Sequence, residues 1–264
     1  ALLAAACGGQ DPVTVRHVLL VTMDTTRADH LSCYGSARNE TPSLDALARE
    51  GVRFLDCTSA AATTLSSHTS LMTGTYPHRH GVVRNGFVVD PSNQTLAETL
   101  RAEGFSCAAF VGSSALVART GLDQGFQVYD DAFDQPVAPG GNDQAQRSAT
   151  SVTDAVLAHV DGVLSLEGSE EARLFLFAHY FDPHAPYAPP PEIGAELGAR
   201  TEVADFDDIE RAVRAQQKRR LGVELGQQDV ISRGMRAPLA APFEAFPSVD
   251  DAYIARLYAA EVAY

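Results

Sequence analysis

Short apolar runs alternate with amphipathic stretches along most of this chain, and that alternation limits what it can fold into more than any other feature. "HVLLVTMD", from His17 to Asp24, is a compact apolar run bounded by polar residues, as in a short strand. "TPSLDALAREGVRF" then offers Thr41 as a helix N-cap, Pro42 at the first helical position and Gly51 as terminator. Next, "RFLDCTS" predicts a short strand, "SHTSLMTG" a helix closed by Gly74, "TLAETLRAEG" another helix and "FSCAAFVG" a buried strand. "SATSVTDAVLAHVDGVL" predicts a helix, and "LFLFAHYFD" a buried strand running into the polar turn "DPHAPYAPPPE". Strands alternating with helices predict an α/β fold with a mostly parallel central sheet and helices on both faces. At 264 residues and 45% hydrophobic, the chain is large enough to bury a sizeable core in one domain.

Other segments carry less. From about Gln135 to Gln144 the composition turns to Pro, Gly and Asn, which predicts a surface loop. "DDIERAVRAQQKRRLGVEL" reads as a charged helix whose Lys218, Arg219 and Arg220 form a solvated face. "VDDAYIARLYAAEVAY" reads as an amphipathic helix that reaches Tyr264 without a cap, which predicts that the sequence is a fragment. Lys and Arg number 20 against 34 Asp and Glu, a net charge of −14 that argues against nucleic acid as a partner. There is no apolar run of eighteen residues. Cys33, Cys57 and Cys107 lack metal-type pair spacing and are expected to be buried free thiols.

The amino terminus, "ALLAAACGGQD", runs from apolar through small residues into Cys7 and a Gly-rich spacer, and resembles a bacterial lipoprotein signal. The resemblance implies cleavage before Cys7, a lipid on its thiol and a periplasmic or cell-envelope location. Residues 1–12 are then leader and tether, and 13–264 an incomplete α/β domain.

Ligands of open parallel sheets gather outside the carboxyl ends of the strands. Three polar clusters fall there. Asp24 follows "HVLLVTM" directly, as a carboxylate for a hard divalent cation or as a turn residue. Thr64 to His68 open the "SHTSLM" helix, where free N–H groups favour an anion and Ser66 or Ser67 is expected to cap the helix. His179 and His184 close the "LFLFAHYFDPH" segment, placed for binding or proton transfer. One acid for a metal, a hydroxyl on a helix amino terminus and histidines together suit attack on a tetrahedral anionic ester.

"HVLLVTMDTTRADHLSCYG", "TPSLDALAREGVRF", "SSHTSLMTGTYPHRHG", "TLAETLRAEGF", "GLDQGFQVYDDAF" and "HYFDPHAPY" resemble successive landmarks of the sulfatase family within the alkaline phosphatase superfamily. The resemblance implies a metal-dependent hydrolase of sulfate or phosphate esters, with an anionic small-molecule, glycan or lipid substrate. It places Asp24 and Thr64 at the metal, usually calcium, with manganese, magnesium and zinc as other candidates. Thr64 takes the nucleophile position, His68 and His184 are catalytic, and His179 and Ser67 contact substrate.

Two departures bear on mechanism. The family's nucleophile motif, Cys or Ser followed by Pro and Arg at alternate positions, reads here Thr64, Leu65, Ser66, Ser67, His68. Its Gly-Lys-Trp-His element is also missing, since Ser113 and Ser114 follow Gly112. Threonine does not yield formylglycine, so a Thr64 ester would have to be released by attack of water or another acceptor, which moves weight from sulfate towards phosphate. Two further readings are a phosphoryl-group transferase and a non-catalytic anion-binding lipoprotein.

Overall fold

The computed structural model describes residues 15–37, 40–133, 145–166 and 168–184. The expected loop at 135–144, the leader and Cys7, and both helices expected after Pro191 lie outside the described residues. The chain forms two compact units, Ala1–Thr22 with Thr63–Tyr180, and Met23–Ala62 with Phe181–Tyr264.

The first unit is built on a parallel four-stranded sheet of order β1-β4-β2-β3: β1 (His17–Met23), β2 (Ser106–Val111), β3 (Val128–Asp130) and β4 (Leu174–Tyr180). β2 sits between its parallel neighbours, with Ser106 opposite Leu174, Val111 opposite His179 and Ala108 opposite Val128. Side chains alternate across a strand, so β2 and β4 feed two cores. On one face Cys107, Ala109, Val111, Phe175 and Phe177 pack with Leu65, Met72, Ala97 and Leu122. On the other, Ala108, Phe110, Leu174, Leu176 and Ala178 pack with Val152.

Helices cover both faces as the sequence predicts. α2 (Thr64–Thr73) and α4 (Leu96–Ala102) supply Leu65, Met72 and Ala97 to the first core, and α5 (Ala149–Leu164) lies on the second. α2 ends where Gly74 takes the left-handed conformation, φ 65°, which costs glycine nothing. α4 begins in a full capping box, in which Glu98 N–H donates to Thr95 Oγ1 and Thr95 N–H to Glu98 Oε2. Gly125, at φ 90°, lies so close to the backbone of Ala97 and Glu98 that a Cβ there would collide with it. That contact sets the start of α4 against the turn before β3.

In the second unit, α1 (Pro42–Glu50) follows Thr41 as expected, with Gly51 closing it by an N–H bond to the Leu47 carbonyl. The Ser32 hydroxyl bridges Thr41 and Asp45, tying the preceding turn to the helix.

Two expectations are corrected, and one strand was not foreseen. "RFLDCTS" is irregular, with Phe54 68% and Leu55 79% exposed; an apolar run without a neighbouring ladder forms no strand. β3, three residues long, carried too little pattern to be read. The three described cysteines are free, yet only Cys107 is buried, its thiol pushed to higher pKa by that burial, while Cys33 is half-buried and Cys57 exposed. No helix among the described residues is long and apolar enough to cross a membrane.

Candidate active site

The candidate residues fall into two sets, one in each unit. In the first unit, Thr64 opens α2 as its first helical residue, after Thr63 in extended conformation. Thr63 makes no side-chain cap, and neither Ser66 nor Ser67 caps the helix, contrary to expectation. The Ser66 hydroxyl is buried and donates to the Val82 carbonyl at 2.6 Å, and the Ser67 hydroxyl donates to the Thr64 carbonyl at 3.0 Å. The cap comes from outside: Asn85 Oδ1 accepts from Leu65 N–H at 2.8 Å. The reason is positional, since both serines lie inside the first turn, where their hydroxyls reach carbonyls rather than the free N–H groups.

His68 is buried one turn later. Its Nδ1 lies 2.7 Å from the Thr64 carbonyl and its Nε2 3.0 Å from Thr22 Oγ1. A carbonyl only accepts, so Nδ1 carries a proton and donates; a neutral ring then accepts the Thr22 hydroxyl at Nε2. Both nitrogens are thus engaged with protein groups, and the ring ties Thr64 to the end of β1. His179, fully buried on β4, meets the His68 ring edge-on at 4.9 Å between centroids, and Phe177 approaches His68 at 5.9 Å.

A third histidine, in α3 (Pro77–His80), braces α2. His80 is buried, accepts from Val82 N–H at Nδ1 and donates from Nε2 to Ser70 Oγ at 2.9 Å. Burial lowers its pKa, aided by His78.

In the second unit, Asp24 and Thr25 occupy the centre of a turn at the end of β1, where Thr26 N–H reaches back to the Met23 carbonyl. Thr25 holds φ 53°, the sole non-glycine residue with positive φ among those described. For a β-branched residue that conformation costs about 1–3 kcal/mol. Its hydroxyl donates to the Pro183 carbonyl at 2.9 Å. Pro183 belongs to a turn in which His184 N–H donates to the Phe181 carbonyl and the two rings stack at 4.3 Å. The structure therefore joins the Asp24 turn to the His184 turn within one unit, as it joins Thr64, Ser67, His68 and His179 within the other. A concavity formed by Cys33, Asp45, Arg49, Arg53 and Leu55 lies in the second unit and includes none of these residues.

The Sulfatase family profile matches residues 16–232, the greater part of the sequence. The chain belongs to the sulfatase family. Among curated relatives, N-acetylglucosamine-6-O-sulfatase of Bacteroides thetaiotaomicron is 29% identical over 125 residues, 47% of this chain and 22% of that protein. Of solved structures, a protein in complex with its substrate D-glucosamine-2-N,6-O-disulfate aligns with TM-score 0.61 at 17% identity, over 95% of this chain and 60% of its own. The phosphonate monoester hydrolase of Agrobacterium radiobacter aligns with TM-score 0.59 at 20% identity, over 94% of this chain and 56% of its own. The sequence thus spans only part of the length of these sulfatase-family and superfamily proteins, and shares their alkaline phosphatase-like fold.

Sulfatases generally use a divalent cation. Among the described residues no three His, Cys, Asp or Glu side chains are grouped as a metal ion would need. Asp24 carries a hard carboxylate oxygen, the donor type that divalent cations such as calcium take. Three residues escaped the sequence reading: Thr22, Thr25 and Asn85. Asn85 sits in an Asn-Gly turn signal, which marks a turn and says nothing of a helix end twenty residues away.

Proposed function

We propose that this chain is the amino-terminal part of a metal-dependent sulfatase-like hydrolase that cleaves a sulfate or phosphate ester with Thr64 as nucleophile. The observation that carries the reading is the placement of Thr64 at the start of α2, with its carbonyl held by His68, in a chain of the sulfatase family. The Thr64 hydroxyl attacks the central atom of the ester and loses its proton to solvent, while the bond to the alcohol oxygen breaks and the alcohol leaves with a proton supplied by His184. Water then attacks the same atom and returns a proton to His184, while the bond to the Thr64 oxygen breaks and that oxygen takes up a proton from solvent. For phosphorus both displacements are open to a threonine. A sulfated threonine lacks the second hydroxyl by which a formylglycine hydrate expels sulfate, which favours a phosphate or phosphonate ester. The phosphonate monoester hydrolase among the fold neighbours is consistent with that preference.

Asp24 and Thr64 would hold the divalent cation, calcium being the first candidate. The cation would neutralise charge on the ester oxygens. His68 enters as the residue that holds Thr64, because both its ring nitrogens are engaged. His179 and Ser67 border the substrate in this reading. Substrates are anionic esters of a glycan, lipid or small molecule. A lipid on Cys7 and a periplasmic or cell-envelope location are part of the same proposal and rest on "ALLAAACGGQD".

The test uses the full natural chain with calcium or manganese, and aryl sulfate, aryl phosphate and aryl phosphodiester as substrates. Thr64→Ala is expected to lower kcat for the phosphorus substrates by at least about 10³-fold. Chelation should abolish turnover and added cation restore it. Sulfate turnover that survives Thr64→Ala would remove Thr64 from the nucleophile position.

A further inference from the structure

We infer that Thr25 is a positioning residue that couples the Asp24 turn to the His184 turn; this rests on the proposed roles of Asp24 and His184. The turn Met23 to Thr26 places its third residue at φ 53°, a position that glycine or asparagine fills without strain. A threonine is the worse choice there on backbone grounds, because its branched Cβ crowds the left-handed conformation. What it adds is a hydroxyl, and that hydroxyl spans 158 residues of sequence to donate to the Pro183 carbonyl at 2.9 Å. The atom bonded is well chosen. Pro183 directly precedes His184, whose own N–H closes the turn back to Phe181 and whose ring stacks on the Phe181 ring with a 17° interplanar angle. One bond therefore fixes the chain immediately after Asp24 and immediately before His184.

Glycine at position 25 would relieve the backbone and delete the bond. Thr25 thus gives up local comfort for registration of the two loops that follow the neighbouring strands β1 and β4. Strain retained beside a proposed cation ligand and a proposed proton donor fits a preorganised site.

The test compares Thr25→Gly, Thr25→Val and Thr25→Ser in the full natural chain, with kcat, KM and thermal midpoint measured on the preferred aryl ester. Thr25→Gly is expected to hold or raise Tm while kcat falls about 10- to 10²-fold with KM within about twofold. Thr25→Val, which keeps the shape and loses the hydroxyl, should fall likewise. Thr25→Ser should restore kcat to within about threefold of wild type, since its hydroxyl reaches the same carbonyl. Wild-type kcat in both Thr25→Gly and Thr25→Val would overturn the coupling, as would losses of kcat that Thr25→Ser does not rescue. Asp24→Asn and His184→Ala separate the two levels. If either turns over like wild type, the roles assigned to those residues fall and the coupling falls with them. If both are inactive and Thr25→Gly and Thr25→Val are normal, the coupling alone is wrong.

Discussion

β1 and β4 look alike in sequence and fare differently in the fold. "HVLLVTM" and "LFLFAHY" are seven-residue apolar runs of similar character. In β4 every residue from Leu174 to His179 is buried, whereas in β1 Leu19 and Val21 remain 61% and 46% exposed while Val18 and Leu20 pack into the core. β4 lies between β1 and β2, with α5 across one face and the α2 side core across the other. β1 is the last strand in the described sheet, and α5 packs on β4 and β2. An apolar run states that a strand has something to bury; it does not state that a cover is supplied on both sides.

Truncation in the doubly covered strand should be the most damaging change. Phe177 is fully buried, with Phe126 at 6.5 Å and His68 at 5.9 Å between ring centroids. Phe177→Ala is expected to cost about 3–5 kcal/mol in denaturant unfolding, through lost transfer energy and the cavity left behind. A loss under about 1 kcal/mol would erase the distinction between the strands. The next effect is local to a covering helix: Thr95→Ala removes one half of the α4 capping box and should cost about 1 kcal/mol.

Acid should act on both covers of the sheet in the same direction. His80 braces α2 on one side, and His159 of α5 lies 5.5 Å from the Phe110 ring on the other. Burial lowers both pKa values. Between the lowered folded value and the ordinary value of about 6.5, the unfolded chain binds more protons than the native one, so stability rises with pH across that window. Each neutral ring contributes fully above about pH 6.5, and the contribution is lost as pH falls towards the folded value. Unfolding midpoints should therefore be flat above about pH 7 and decline below 6.5, with His80→Gln and His159→Gln each flattening the decline. Midpoints that rise on acidification would place both rings in contact with negative charge instead.

The same contrast separates what was legible from what was not. The layered α/β fold was legible because periodicity is local: Thr41, Pro42 and Gly51 mark α1, and the pattern of "TLAETLRAEG" marks α4. Asp24, Thr64, His68, His179 and His184 could be singled out as residue types at strand ends and helix starts. The long-range bonds in and beside these segments could not, because they join residues 20 to 158 positions apart, as with Asn85 to Leu65, Thr22 to His68 and Thr25 to Pro183. "RFLDCTS" failed for the reason that separates β1 from β4: its apolar residues carry β propensity, and among the described residues no ladder receives them.

Leu19 gives the smallest expected effect and the sharpest test of that reason. Its side chain sits on the face of β1 opposite Val18 and Leu20, 61% exposed. Leu19→Ser removes apolar surface that is already in water, so unfolding stability should change by no more than about 0.5 kcal/mol. The polar replacement should also lower any tendency of that edge to associate, read as sedimentation at rising concentration. A loss above about 1.5 kcal/mol would mean that Leu19 is packed in solution, since only a buried leucine yields so much on truncation. In that case β1 and β4 would be equals after all, and the alternation along β1 would no longer mark an uncovered face.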